Sequence, residues 1–419
     1  MLLRARIVLP VTAPPLEDGA VLISRGRIEA VGRWSDLRAA VRGPATDLGE
    51  VLLLPGLVNA HCHLDYTHFA GRLRPPRTFS DWIKSLLALK GEWAYSDFAA
   101  SWLAGTRQLL ESGTTTVANI ESVPELLTDC RSATPLRVHS FLEMTGVRSG
   151  RNPGAIVHET LRAIAGLAVE GGGFGLSPHA PYSTTPPLLA LTAEVATREN
   201  WRTTTHVSES EAEFEMFMFR RGPMFDWLES QRPMEDCGLG SPIQHLERCG
   251  LLGPRHLAVH VNYLWHGDAS RLARAGAHVV HCPQSHAYFG HRRFPRTELE
   301  EAGVNVCLGT DSLASTRPPR TGPPQLSMLA ELREFIGRDA TLSPEAALEY
   351  ASVRAARALG LGGRAGELSA GAHADCVALP FAGGVRESAA AVIAHEGPVT
   401  ATLIGGRWIR RPPEVAAAP

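Results

Sequence analysis

Lysine is nearly absent from this chain. Of 41 basic residues only Lys84 and Lys90 are lysines, and the rest are arginines. The bias is what a GC-rich genome produces, and it bears on any metal site that needs a lysine. Long apolar runs are missing too: no stretch approaches the ~18 residues of a membrane span. The first residues, MLLRARIVLPVTAPP, carry Arg4 and Arg6 inside their apolar part, so they do not read as a secretory signal. The seven cysteines are scattered, without a CxxC or a disulfide framework, and the compartment expected is the reducing cytosol. Charge of one sign is lacking as well. Acidic residues number 43, the net charge is −2, and no global field draws the chain to nucleic acid or anionic membrane. No basic run with interleaved aromatics appears. His245-Leu-Glu247 matches half of the HxE…PCxxC zinc-deaminase pattern, but no PCxxC exists, and HExxH is also absent.

What is present fits an ordinary globular protein. The chain has 419 residues, 44% hydrophobic and 20% charged, enough to bury a sizeable core without staples. Its first ~54 residues read as strands by alternation, with VLISRGRIEAVG (21–32) forming a hairpin around Arg-Gly and EVLLLPG (50–56) a short strand. Near the other end, ADCVALP (374–380) and VTATLIGGRWI (399–409) read the same way. Neither end has enough chain for its own core. The economical reading is one small β-sandwich built from 1–54 plus 365–419, leaving 55–364 as a second domain.

In that second domain strands alternate with helices. Strands are expected at 57–63, 114–120, 136–144, 174–181, 202–210, 257–264, 277–285 and 304–312. Ser96 is expected to cap a helix that Gly113 stops, and Asn152-Pro153 to open another. The long segment 211–254 is expected to hold extra helices beside the site, and 325–337 and 343–359 to be closing helices. Eight strand–helix units fit an α/β fold of the (β/α)8 TIM-barrel type.

Polar residues cluster where these strands end, the face that carries chemistry in such barrels. His61 and His63 are two apart on one strand and share a face. His206 ends the fifth strand, His260 and His281 lie in the sixth and seventh, and Asp311 ends the eighth. One HxH is weak evidence, but five histidines and an aspartate at strand ends point together to a metal centre.

Three motifs make the pattern specific: PGLVNAHCHLD (55–65), THVSES (205–210) and LGTDSLAS (308–315). They resemble the amidohydrolase superfamily, and within it the nucleobase and nucleoside deaminase branch. The resemblance covers nearly the whole chain, including the split β domain. It implies a metal held by His61, His63, His206 and Asp311. Binuclear relatives use a carboxylated lysine after the fourth strand, and this chain has no lysine after Lys90, so one divalent ion is expected, zinc with iron as the alternative. A divalent ion brings the pKa of water toward ~7. Asp311 is then expected to take a proton from water, Glu209 of the HxxE arrangement to protonate the substrate ring, and His260 to hydrogen-bond the oxygen.

Further positions follow from the same resemblance. His179 in SPHAPYST (177–184) is a candidate base contact, and Trp82 in TFSDWI is a candidate cover for the ribose. His281 opens a segment that usually reads HxPxSN; here His286 replaces the Asn and FGH (289–291) follows. His291 is read as structural or surface. HCPQSHAYFGHRRFP (281–295) and GTDSLAS (309–315) look more like the aminodeoxyfutalosine deaminases than like those acting on S-adenosylhomocysteine or methylthioadenosine. Such a substrate carries a carboxylate at its 5′ end, for which Arg148, Arg151, Arg292 and Arg293 are candidate forks. The alternatives are another adenosine-type deaminase, a heterocycle chlorohydrolase or amidohydrolase, and a metal-free scaffold. The expected partners are a small nucleoside and, for assembly, a second copy in a homodimer, with neither nucleic acid nor membrane.

Overall fold

A computed structural model describes residues 1–147, 152–167, 172–319 and 322–412. The hairpin near the start forms as its alternation predicts. Strand Leu16–Ser24 turns through Arg25 and Gly26, with φ of 49° and 76°, into strand Arg27–Arg33. Positive φ at both central residues is the type I′ turn whose twist matches its flanking strands. The 399–409 stretch is a hairpin rather than a continuous strand: Gly405 and Gly406 take φ of 57° and 74° between Ala401–Ile404 and Arg407–Arg410.

Strands from both chain ends join one eight-stranded sheet. Its seam is Val51–Pro55, parallel to Leu2–Val8 and antiparallel to Cys376–Pro380. Side chains alternate between faces with period two. Leu53, Ala378, Leu3, Val21 and Leu403 meet in one apolar cluster, whereas Leu52, Leu54, Val377 and Leu379 join the packing of the barrel. Arg137 from the barrel ties the sheet down through a fork on the buried Asp375, at 2.8 and 3.2 Å.

The second sheet is the barrel. Its strands are β1 (Leu57–Cys62), β2 (Thr114–Glu121), β3 (Arg137–Met144), β4 (Phe174–Pro178), β5 (Arg202–Val207), β6 (His256–His260), β7 (His278–His281) and β8 (Asn305–Leu308). Each neighbouring pair is parallel. Closure comes from a bridge between Cys62 and Asp311, where Asp311 N–H donates to His61 O at 3.1 Å. Six of the eight strands stop short of their expected C-terminal ends, because there the backbone leaves the ladder to form the site; β2 and β3 reach or pass theirs.

Helices lie between the strands with readable ends. Asn152 caps Pro153–Ala165 by accepting from Gly154 N–H, with proline in the first turn. The helix expected after Ser96 is Tyr95–Glu111; Ser96 is not its cap, since Asp97 reaches back to accept the Ala94 N–H at 2.9 Å. The segment 211–254 holds three helices: Glu211–Phe219, Pro223–Leu228 and Pro242–Arg248. The closing region is Met328–Arg338, then Pro344–Tyr350 and Val353–Ala358, separated at Ala351-Ser352. Among the described residues no helix is long and apolar enough to cross a membrane.

Candidate active site

Ladder register brings the polar strand ends together. On β5 and β6, His206 pairs with Val259 and Val207 with His260, so the two histidines are one residue apart across neighbouring strands. At the barrel seam the Asp311 N–H bonds His61 O and the His63 N–H bonds Asp311 O, which sets Asp311 between the two β1 histidines. Gly309 makes this approach possible, for a Cβ there would stand 2.8 Å from His61 Cβ. His260 and Asp311 have φ of 75° and 54°, the left-handed region that non-glycine residues avoid. Strain of ~1–3 kcal/mol per residue persists only where surrounding structure enforces it.

The side chains converge. His61 Nε2 and His63 Nε2 each lie 3.6 Å from Asp311 Oδ1, and His63 Nε2 lies 3.2 Å from His206 Nε2. A divalent ion at ~2.0–2.1 Å from tetrahedral ligand atoms spaces them ~3.4 Å apart. The donors are of the right kind as well. His206 Nδ1 stands 2.8 Å from His179 O, and since a carbonyl only accepts, Nδ1 carries the proton and Nε2 offers its lone pair. Burial lowers the pKa of His63, His206 and His260 well below the usual imidazole value and keeps all three neutral, the state in which His63 and His206 can ligate. Both ring nitrogens of His61 are buried without a hydrogen-bond partner, a state that a bound cation relieves. Burial works against ionisation of Asp311, but the surrounding imidazoles of His61, His260 and His63 outweigh it, and its pKa falls well below the carboxylate range. The residues present therefore fit a divalent metal.

Glu209 belongs to the same cluster. Its Oε1 lies 3.6 Å from His260 Nε2, and Glu209, His260 and Asp311 bring oxygen and nitrogen atoms within 4.8 Å of one another. Burial first, then Asp311 and Glu213, pushes the Glu209 pKa well above the carboxylate range, which favours its protonated form. Its backbone is clamped from two sides. Glu213, fully buried, accepts the Glu209 N–H at 2.9 Å, and Asn262 Nδ2 donates to Glu209 O at 2.9 Å.

A cavity of about 380 Å³ opens over this centre. His63, His206, Glu209 and Asp311 form its polar end, and Trp82, Leu86, Trp227 and Leu228 an apolar wall. Among the softer candidates, His179 and Trp82 line it. His281 does not. It lies in another cavity with its ring flat against Phe294, so its expected substrate contact is corrected. Arg293 lines that other cavity too, and Arg292 pairs with Glu211 at the surface, 76% exposed. Arg148 and Arg151 lie outside the described residues.

Sequence reasoning passed over several cavity residues. Lys90, Tyr66, Ser122 and Glu143 line one side. Lys90 bonds the Tyr66 hydroxyl, and although burial disfavours its charge, Tyr66, Glu143 and Asp65 raise its pKa. Glu143 sits near the end of β3, and the strand-end rule that selected His206 and Asp311 would have found it. Nothing in the sequence marks Lys90 beyond the rarity of lysine.

The amidohydrolase family model matches residues 52–409, and a bacterial imidazolonepropionase-like composite domain model matches 19–40. The chain belongs to the amidohydrolase family and is a hydrolase acting on C–N bonds. It is 32% identical to the 5-methylthioadenosine/S-adenosylhomocysteine deaminase of Syntrophobacter fumaroxidans over 386 residues, covering 87% of this chain and 80% of that protein. It is 28% identical to the aminodeoxyfutalosine deaminase of Deinococcus radiodurans over 317 residues, 71% of this chain and 72% of that one. An adenosine deaminase from Xanthomonas campestris, solved with bound zinc, shares the fold at a TM-score of 0.83 and 24% identity, covering 98% of this chain and 92% of its own.

Proposed function

We propose that this protein is a metal-dependent hydrolytic deaminase of an adenine nucleoside. The observation that carries the reading is the buried Glu209 carboxyl beside His260 and Asp311, at the polar end of a cavity of about 380 Å³. His61, His63, His206 and Asp311 would hold one divalent ion, for which zinc is the proposal and iron the alternative to test. That ion supplies positive charge that acidifies a water. Asp311, anionic and bonded by Ser315 Oγ at 3.1 Å, accepts a proton from the attacking water. Glu209 donates its proton to the ring nitrogen beside the attacked carbon; the proton taken up by Asp311 then passes to the amine, which leaves as ammonia, and the hydroxyl proton of the tetrahedral centre returns to Glu209. His260 hydrogen-bonds the oxygen as charge develops on it. His179, neutral because burial and Lys90 depress its pKa to about 3, contacts the base, and Trp82 covers the ribose.

Two substrates have support. Aminodeoxyfutalosine, converted to futalosine in menaquinone biosynthesis, is favoured by the likeness of residues 281–295 and 309–315 and by the Deinococcus relative. Methylthioadenosine or S-adenosylhomocysteine is favoured by the Syntrophobacter relative, with the higher identity and longer match. The seven unpaired thiols suit a reducing cytosol. Loss of adenine absorbance, read as kcat/KM for aminodeoxyfutalosine, adenosine, methylthioadenosine and S-adenosylhomocysteine, decides the substrate. A first rank for any of the last three ends the menaquinone assignment, and no turnover of any ends the deaminase reading.

A further inference from the structure

The segment that departs from the HxPxSN pattern builds a second cavity, about 320 Å³, which shares no lining residue with the first. Three imidazoles line it, with centroids 5.2 Å apart for His281 and His286 and 5.5 Å for His286 and His291. His281 is only 3% exposed, and its ring stacks on Phe294 at 3.8 Å. Its Nδ1 is buried with no hydrogen-bond partner among the described residues. His291 Nδ1 meets Tyr263 Oη at 3.1 Å, while its Nε2 is likewise buried and unpartnered. Leaving such groups unpaired costs free energy, and both belong to side chains that line this one cavity. Burial holds the pKa of His286 at about 4 and of His291 at about 3, so both rings are neutral, with His286 turned to the Arg292 backbone.

Charge decides what kind of ligand fits. Arg293, Arg296 and Arg338 line the cavity against one carboxylate, Asp339. Asp339 is already served by Thr341 and Arg296, and Arg296 is held between it and Glu300. Arg293 and Arg338 are freer. Arg293 is 3.7 Å from Asp339 and 70% exposed, and Arg338 spends its Nε on Glu334 and is 47% exposed. Each guanidinium carries five N–H donors, so both keep donors to spare. Arginines repel a cation, and among the described residues the groups of three close metal-ligating atoms all lie around the first centre. We infer that this second cavity binds a small oxyanion, a phosphate or a carboxylate, between the imidazole N–H groups and the guanidiniums of Arg293 and Arg338.

The inference stands apart from the deaminase reading, and its test does not need turnover. The full-length protein, in chloride buffer at fixed ionic strength, is titrated calorimetrically with inorganic phosphate and, separately, with benzoate. Saturable binding of either at one site per chain is expected, and the anion that binds names its source. The double variant Arg293→Gln/Arg338→Ala alters two exposed side chains and is expected to fold normally by circular dichroism. It should weaken binding about tenfold or more, the size of losing charge-assisted hydrogen bonds. The inference is overturned if neither anion saturates the native protein, or if the double variant binds as tightly as the native chain.

Discussion

Two groups of histidines line separate cavities of the same barrel, and they are built for opposite charges. Around β1, β5 and β6, the imidazoles His61, His63, His206 and His260 surround Asp311 and Glu209. At the end of β7, His281, His286 and His291 share their cavity with three arginines. Burial depresses the pKa of His63, His206 and His260 in one group and of His281, His286 and His291 in the other, so pKa does not tell them apart. The companion does: a carboxylate among neutral imidazoles makes a cation site, and guanidiniums among them make an anion site.

The comparison is tested most severely at its acidic centre. Asp311→Ala should lower turnover about 10³–10⁵-fold, the scale of losing metal-ion catalysis, and the purified variant should lose its metal by elemental analysis. Two tightly held ions per native chain would overturn the single-ion reading. Next, Glu209→Gln should keep the metal and the fold but cut turnover about 10²–10⁴-fold. Near-normal turnover in that variant would move the acid to another residue.

The clamp on Glu209 predicts a smaller effect. Glu213→Leu removes the acceptor for the Glu209 N–H, and kcat should fall about 10–10²-fold with KM nearly unchanged. Glu213→Gln keeps an acceptor oxygen and should recover most of the loss. Equal losses in the two variants would show that Glu213 serves packing rather than alignment. At the barrel's seam with the terminal sheet, Arg137→Ala leaves the buried Asp375 without its fork. Stability should drop by about 1–3 kcal/mol in urea unfolding while kcat at 25 °C holds.

The smallest effect belongs to the basic cavity and appears only in acid. Burial alone raises the Asp339 pKa, but hydrogen bonds from Thr341 and Arg296 outweigh it and hold the group at about 2. The folded pKa lies below the unfolded value of about 4, so its stabilisation is present above pH ~4 and lost as pH falls toward ~2. Asp339→Asn should therefore flatten the acid limb of the thermal-stability curve in that window only. An unchanged slope there would mean the carboxylate's bonds are compensated in the unfolded chain.

Much of this was legible in the chain itself, for local reasons. Alternation with a two-residue Arg-Gly turn specifies a hairpin wherever it is placed, and Asn152-Pro153 specifies a helix start through its own backbone chemistry. HxH on a strand fixes two imidazoles on one face. His281 shows where that reasoning stops. It ends β7, and His206 lies one residue from the end of β5, yet the His281 ring lies flat against Phe294 in the other cavity. Strand-end position gives the end of the barrel, not which side of the wall a side chain takes. Lys90 and Tyr66 were invisible for a related reason: they enter the cavity from the helix Phe79–Gly91 and the short 3-10 helix Leu64–Phe69, whose placement depends on packing.

The sequence alone determined the alternation of strands and helices, the donor types and the order in which they arrive, because each depends on neighbours a few residues away. Tertiary structure decided the distances. Asp311 stands between His61 and His63 only because the last barrel strand closes on the first across about 250 residues, with Gly309 leaving the room. It also decided that two sets of histidines face different charges, since the residues around a buried ring come from distant parts of the chain and no local pattern encodes them.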